Sequence, residues 1–485
     1  MGHVSEQIER IELRRRGRSL VKLKPGQRPD PSQPAGTDLL PQIKHIVVVM
    51  MENHSYDNYL GMLTGRGEGF PLAEDGLPAV ANADRNGNPV RAYHMASTIQ
   101  TENAPSQSWQ ATRLQCNDGR MDGFVTSTET VVPQSEAPNA GMGYWTGEDL
   151  PFYYGLARTF PLADRWFSSC PGPTFPNRRF LIAGTANGLV DDLPFHLLDY
   201  PPAGTIFDQL TRHGISWANY HPVTADRSTA HLAAHGRKMA RRRLTSLTQG
   251  IESVRAGVQK DIQFTADLFP LGYARCRLHV HSIDQFCVDA DEGTLPAFCI
   301  VDPSFEEWSE ENPQDIRKGE SFAAEVINRV MHGKGWPGTL LIWTYDEHGG
   351  YYDHVPPPPA VTPDDTDGKS MAIRSGWLEV AHRLLFPNYV KDAETADGCP
   401  MRYDSFGPRV PAVLVSPYAR PDFVLSDIFD HTSILKLVEE KWNLPALTRR
   451  DAAAISPIGA LDFTTPPAFL TPPTLPEPAL QYGTW

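Results

Sequence analysis

The chain alternates between uninterrupted apolar runs and stretches where apolar residues return every three or four positions. The first run is His45-Ile46-Val47-Val48-Val49-Met50-Met51, and four more follow at Ile215 to Asn219, Ala297 to Val301, Leu340 to Thr344 and Ala412 to Val415. Short runs of this kind, lacking polar alternation, are the pattern of strands buried on both faces. Helical patterns lie between them, including Ser321 to Val330 and Ser433 to Lys441. Strands alternating with helices predict a mainly parallel, doubly wound α/β sheet with helices on both sides. Residues from about 230 to 267, with Arg241-Arg242-Arg243, break the alternation and read as an inserted helical subdomain whose Arg run is a solvated face. A loop from 356 to 406 opens on four prolines, and irregular segments of that length often form lids or binding loops. Residues 1–40 are charged and rich in Pro and Gly, the composition of a poorly ordered arm. Residues 458–485 form a Pro-rich tail that wraps the surface, leaving 41–457 as one domain.

Composition narrows the partners. A net charge of −14 over 485 residues disfavours a nucleic-acid partner or a simple electrostatic hold on anionic lipid. If such a chain handles anionic phosphate, it must build a local positive field from a metal or from a few placed Arg and His side chains. None of the six cysteines stands in a C-x-x-C pair, which excludes zinc-ribbon and thioredoxin-like sites. No apolar run approaches the roughly 18 residues of a transmembrane helix. Arg14-Arg15-Arg16 is similar to a twin-arginine export signal, but the apolar stretch of about 7 to 15 residues that such a signal needs does not follow. As written, the chain is expected in the cytoplasm; a start further upstream would make it an exported protein.

The polar residues that end the apolar runs carry the candidate chemistry. Leu340 to Tyr345 runs into Asp346-Glu347, then Gly349-Gly350 and Asp353-His354. In an open α/β sheet, ligands sit beyond the carboxyl ends of the strands. Two adjacent carboxylates there repel unless something positive neutralises them, and a metal is the simplest partner. The first run ends similarly in Glu52-Asn53, a pair suited to a divalent cation with oxygen ligands, or equally to a helix start. Ser168 to Phe180 offers hydroxyls, an amide and two guanidiniums; Arg178 has the fork geometry for phosphate, and Thr174 is either a reactive hydroxyl or a helix cap. His354 has the charged neighbour expected of a general acid, and His431 stands just before a helix.

Several of these segments occur in a recognisable order: Glu52-Asn53-His54-Ser55-Tyr56-Asp57, Met121-Asp122-Gly123-Phe124, Asp149 to Tyr154, Gly172-Pro173-Thr174 with Pro176-Asn177-Arg178, Tyr345 to Pro358, and His431-Thr432-Ser433. From about residue 43 to 445 the chain resembles the phosphoesterase family of bacterial phospholipases C, plant non-specific phospholipases C and a related acid phosphatase. The resemblance implies an alkaline-phosphatase-like three-layer α/β/α sandwich and hydrolysis of a phosphate ester through a phosphothreonine intermediate. It implies that Glu52, Asn53, Asp346 and Glu347, together with the nucleophile Thr174, hold one divalent metal ion (Mg, Ca, Mn or Zn). Asn177, Arg178 and His354 would hold phosphoryl oxygens or protonate the leaving alcohol, with His431 beside the substrate. Two departures stand out. Relatives often carry His-x-Trp where this chain has Gln107-Ser108-Trp109, and Asp-His-Pro where it has Glu311-Asn312-Pro313. Gln107 and Asn312, expected to face the substrate, can donate hydrogen bonds but cannot carry a proton. The expected activity is phospholipase C type cleavage of phospholipid. The alternatives are an acid phosphatase acting on soluble phosphomonoesters and a catalytically weakened module that binds phospho-ligands or protein.

Overall fold

The computed structural model describes residues 24–102, 105–133, 135–192, 200–222, 265–269, 276–365 and 402–481. Among these, eight strands form the main sheet: β1 (His45–Met51), β2 (Leu162–Ala163), β3 (Trp217–His221), β4 (Val280–Ser282), β5 (Phe298–Val301), β6 (Thr339–Tyr345), β7 (Ala412–Val415) and β8 (Val424–Leu425). Their order across the sheet is β8-β2-β7-β6-β1-β5-β3-β4. All neighbours run parallel except β7, which is antiparallel to both β6 and β2. Helices cover both faces, the α/β/α sandwich expected from the sequence.

The central strands are apolar because both of their faces are covered. From Ile46 to Met51 and from Leu340 to Trp343 every side chain is fully buried, so period-two alternation has no solvent face to serve. Outer helices keep the amphipathic pattern instead. In helix Ile316–His332, Phe322, Ala323, Val326, Ile327 and Val330 form the buried stripe, Asp315 caps the first turn by accepting from the Arg317 N–H, and the helix stops before Gly333.

The register decides where the chemistry lies. Met51 of β1 pairs with Tyr345 of β6, and Val49 pairs with Val301 of β5. Glu52, Asp346 and Asp302 therefore leave the sheet together, at the carboxyl ends of its three central strands.

The structure departs from the sequence reading in detail. The run at Ile215 to Asn219 becomes a strand two residues later, and β2, β4 and β8 are too short to show as apolar runs. Residues 24–40 are docked on the domain: the Gly26 N–H donates to the Ala446 carbonyl, Asn443 bonds the backbone of residues 30 to 34, and Lys441 reaches Asp38. The tail makes similar contacts at Phe469, whose carbonyl accepts from Trp336 Nε1, and at Ala479, whose N–H donates to Glu320. Of the insertion expected at 230–267, only 265–267 lie within the described residues; of the loop 356–406, only 356–365 and 402–406 do.

Candidate functional site

Glu52 and Asn53 follow β1. The Glu52 N–H donates to the Ser309 carbonyl at 3.0 Å, and Asn53 takes a left-handed conformation, φ 70°, which Asn tolerates better than most residues. That turn aims the Asn53 N–H at Asp346 Oδ1, 3.3 Å away. A Cβ on Gly349, itself at φ 65°, would collide with the Asn53 carbonyl, so glycine is required for the two strand-end loops to approach.

Asp346 is held from every side. Oδ1 also accepts from the Glu347 N–H at 2.8 Å, Oδ2 from Arg178 Nε at 2.8 Å, and its carbonyl from His431 Nε2 at 2.6 Å. Glu347 Oε2 accepts from the Gly349 N–H at 2.8 Å.

Helix Thr174–Ala183 brings the hydroxyl. Its N-cap is Pro173, so the Thr174 hydroxyl is not spent on capping. The side chain of Asp192 takes that role from outside, accepting the Phe175 N–H at 2.7 Å. Arg178 lies four residues after Thr174, on the same face of the helix. The residue after Thr174 is tied to the acidic group through Asp192, which accepts the Phe175 N–H and whose carboxyl feels Glu311 and Asp346.

Two expected phosphate ligands have other partners. The Arg178 side chain is completely buried, and its donors go to Asp346, Asp302 (2.8 Å), Thr265 Oγ1 and the carbonyls of Met50 and Met51. Asn177 donates to the carbonyls of Cys170, Gly172 and Pro173 and accepts from the Cys170 N–H. Both therefore build the site: Arg178 neutralises part of it, and Asn177 fixes the loop leading into Thr174. Asn312 likewise turns away, donating to the Thr101 carbonyl at 3.0 Å and to the Tyr351 hydroxyl. Gln107 is partly exposed, and its carbonyl accepts from Thr112. His431 is buried at the start of its helix, with Nδ1 left unpartnered behind the Asp346 carbonyl.

The sequence reading missed several members. Asp302 follows β5 as Asp346 follows β6, a parallel that was visible; it accepts from Arg178, Thr265 and Asn219. Glu311 and Asp192 face the acidic group through space. Burial first, then Asp346, push the Glu311 carboxyl up to about 7, with Arg178 opposing. Burial, then Asp191, hold the Asp192 carboxyl well above the usual range. Nothing in local sequence marks Asp192, whose position depends on the fold.

The residues fit a divalent cation. Buried oxygens Glu52 Oε2, Asn53 Oδ1 and Glu347 Oε1 have no hydrogen-bond partner, and the nearest cationic atom to Glu52 is Arg178 Nη2 at 3.9 Å from Oε1. Burial, followed by the neighbouring acids, pushes Glu52 and Glu347 well above the usual carboxylate range. Orphaned carboxylate oxygens in a dry interior cost several kcal/mol unless something positive meets them.

Among the described residues, the acidic and histidine side chains whose ligand atoms lie within 4.8 Å of one another are not these but Asp57, Asp353 and His354. Here the charge is already met. Arg409 bonds Asp353 at 2.9 Å and Asp57 at 3.1 Å, and all four carboxylate oxygens accept hydrogen bonds. The orphaned oxygens favour the Glu52, Asn53, Asp346 and Glu347 group.

A family model described as "Phosphoesterase family" matches residues 43–445. The chain is 28% identical over 469 residues to a protein named "Non-specific phospholipase C1" of Arabidopsis thaliana, covering 91% of this chain and 75% of the relative. It is 28% identical over 468 residues to "Phospholipase C A" of Mycobacterium tuberculosis, with 91% and 81% covered. It is 27% identical over 438 residues to "Hemolytic phospholipase C" of Pseudomonas aeruginosa, with 84% and 54% covered.

Proposed function

Because the chain belongs to the phosphoesterase family and is a phosphoester hydrolase, we propose that it cleaves phospholipid in the manner of a phospholipase C, with Thr174 as nucleophile. The observation that supports this most is the meeting of three orphaned buried oxygens, on Glu52, Asn53 and Glu347, with an uncapped hydroxyl at a helix start. Glu52, Asn53, Asp346, Glu347 and Thr174 would hold one divalent cation, which when bound lowers the hydroxyl pKa and offsets charge on the phosphoryl oxygens. Backbone N–H groups in the first turn after Thr174 point at an incoming anion, as helix N-termini do. Thr174 Oγ, its proton lost to solvent, attacks phosphorus and expels the glycerol oxygen; water then releases the head-group phosphate. Arg178 fixes Asp346, and Asn177 keeps the Cys170 to Thr174 loop from drifting, so the nucleophile meets phosphorus without reorganisation. The names of the relatives support a phospholipid substrate over a soluble monoester.

The test compares wild type and Thr174→Ala, with and without chelator, on phosphatidylcholine and on an aryl phosphate. The expected result is release of phosphorylcholine by wild type, loss with chelator, and a fall of at least about a thousandfold in Thr174→Ala. Full turnover by Thr174→Ala on phosphatidylcholine would overturn the assignment. Faster turnover of the aryl phosphate than of the lipid would favour a phosphatase.

A further inference from the structure

At the edge of the sheet beside β8, a cavity of about 420 Å³ is lined by Gly65, Arg66, Gly67, Arg158, Asp422 and Val424. Cavities of roughly 300–1,000 Å³ are the size that holds small ligands. This one shares no residue with the acidic site, and its two arginines stand out in a chain whose net charge is −14. A cavity lined by one sign of charge concentrates the opposite sign, so this one selects anions. Arg66 is fixed in place: Nη2 donates to the carbonyls of Phe160 at 2.9 Å and Phe423 at 3.1 Å, in the segments that lead into β2 and β8. Its donors are not saturated, since Nε is buried without a hydrogen-bond partner. The carboxylate it meets, Asp422 Oδ1, lies 3.5 Å from Nη1 on a side chain that is 96% exposed, and an ion pair so open to solvent contributes little. Arg158 lies in the last turn of helix Pro151–Thr159, where the helix dipole favours a cation. It is exposed and makes no hydrogen bond or ion pair among the described residues. The two guanidiniums repel: burial lowers the Arg66 pKa, Asp422 and Tyr56 oppose it, and Arg158 adds to the fall. Both stay protonated at neutral pH all the same.

The loop that carries Arg66 leaves room for a ligand. Gly65 and Gly67 both have positive φ, 78° and 70°. A Cβ on Gly65 would point into open space, while one on Gly67 would strike the Tyr56 hydroxyl, so bare backbone forms part of the wall. The Gly67 N–H donates to nothing among the described residues. We propose that this cavity binds a phosphate dianion, free or as a lipid head group, with Arg66 and Arg158 as its cationic ligands and Asp422 as a counter-ion that gives way. Guanidinium forks match phosphate oxygens two at a time, and a phosphomonoester near pH 7 carries close to two charges, one for each arginine. A carboxylate neutralises only one, which Asp422 already does in part. Asp422, itself at φ 51°, competes with the anion for Arg66.

The test titrates inorganic phosphate into Thr174→Ala protein that has been stripped of metal with chelator and dialysed, which keeps the acidic site out of the reading. The expected result is one phosphate per chain, a Kd at least about tenfold weaker when Arg158→Ala is added, and a tighter Kd with Asp422→Asn. Both substitutions change exposed side chains, so folding is not at stake. Flotation of the same proteins on vesicles of phosphatidylcholine, with and without phosphatidic acid, identifies the source of the phosphate. Retention that requires both phosphatidic acid and Arg158 supports a lipid head group; phosphate binding that depends on Arg158, with no such retention, supports a soluble phosphate. A phosphate Kd unchanged in both variants, acetate bound as tightly as phosphate, or the absence of both phosphate binding and Arg158-dependent retention would overturn the proposal. Neither arm requires turnover or a Thr174 adduct, so this site and the phospholipase reading stand or fall separately.

Discussion

Arg178 joins two strand-end acids through one guanidinium, and removing it leaves Asp302 and Asp346 buried without their cation. Breaking a buried pair from one side costs about 3–5 kcal/mol, so Arg178→Met is expected to lower the unfolding free energy from denaturant titration by that amount; a change within error would mean that solvent or another cation already serves those acids. Glu310 gives a test in pH. Its carboxyl accepts the hydroxyls of Tyr59, Tyr153 and Tyr345 at 2.9, 2.6 and 2.5 Å, and burial pushes it from 4.5 up to about 8 against those three bonds. The folded chain therefore keeps a proton between those values that the unfolded chain has released. The contribution is full below about pH 4.5 and is lost as pH rises through about 8. In Glu310→Gln the decline of stability across that window is expected to flatten; an unchanged slope from denaturant titrations at several pH values would contradict the assignment. At this scale the sequence shows residue types at strand ends and little about their orientation. Glu52, Asp346 and Thr174 are legible because charge or hydroxyl directly follows a buried run or opens a helix. Arg178 is misleading, since phosphate and carboxylate ask for the same fork and only the fold shows which one is within reach.

The element that assembles the site is the pair of loops after β1 and β6, made neighbours by a parallel register that ends Met51 beside Tyr345. Gly349 is where these loops touch. Gly349→Ala adds a Cβ against the Asn53 carbonyl at a positive φ, and strain of this kind is worth about 1–3 kcal/mol. The expected outcome is a lower Tm together with weaker divalent-cation binding by calorimetry, whereas a variant with wild-type affinity would show that the contact does not set the ligands. The long strands β1, β5 and β6 are plain in the sequence because continuous burial removes polar residues from them. The two-residue strands β2 and β8 are invisible, since so short a pairing depends on neighbours supplied by distant parts of the chain.

On the scale of the whole molecule, a net charge of −14 and a core holding Glu52, Asp192, Asp302, Glu311, Asp346 and Glu347 beside the buried Arg178 are the setting in which the proposed cation would add stability. By mass action, a saturating divalent ion is expected to raise Tm, with about 2.7 kcal/mol at a hundred times its Kd. Chelator should reverse the rise, and Glu347→Gln should blunt it; equal Tm values with and without ion would speak against the cage. No helix among the described residues is long and apolar enough to cross a membrane. The sandwich follows from the alternation of runs, but the docking of residues 24–40 does not, because Pro and Gly composition says nothing about the partners Lys441 and Asn443 provide.

The most direct measurement is mass analysis of acid-quenched enzyme during turnover of phosphatidylcholine. The account predicts a phosphorylcholine adduct on the peptide bearing Thr174, formed and consumed at rates compatible with turnover and absent from Thr174→Ala. Steady turnover with no adduct on that peptide, or with the adduct on another residue, would contradict it.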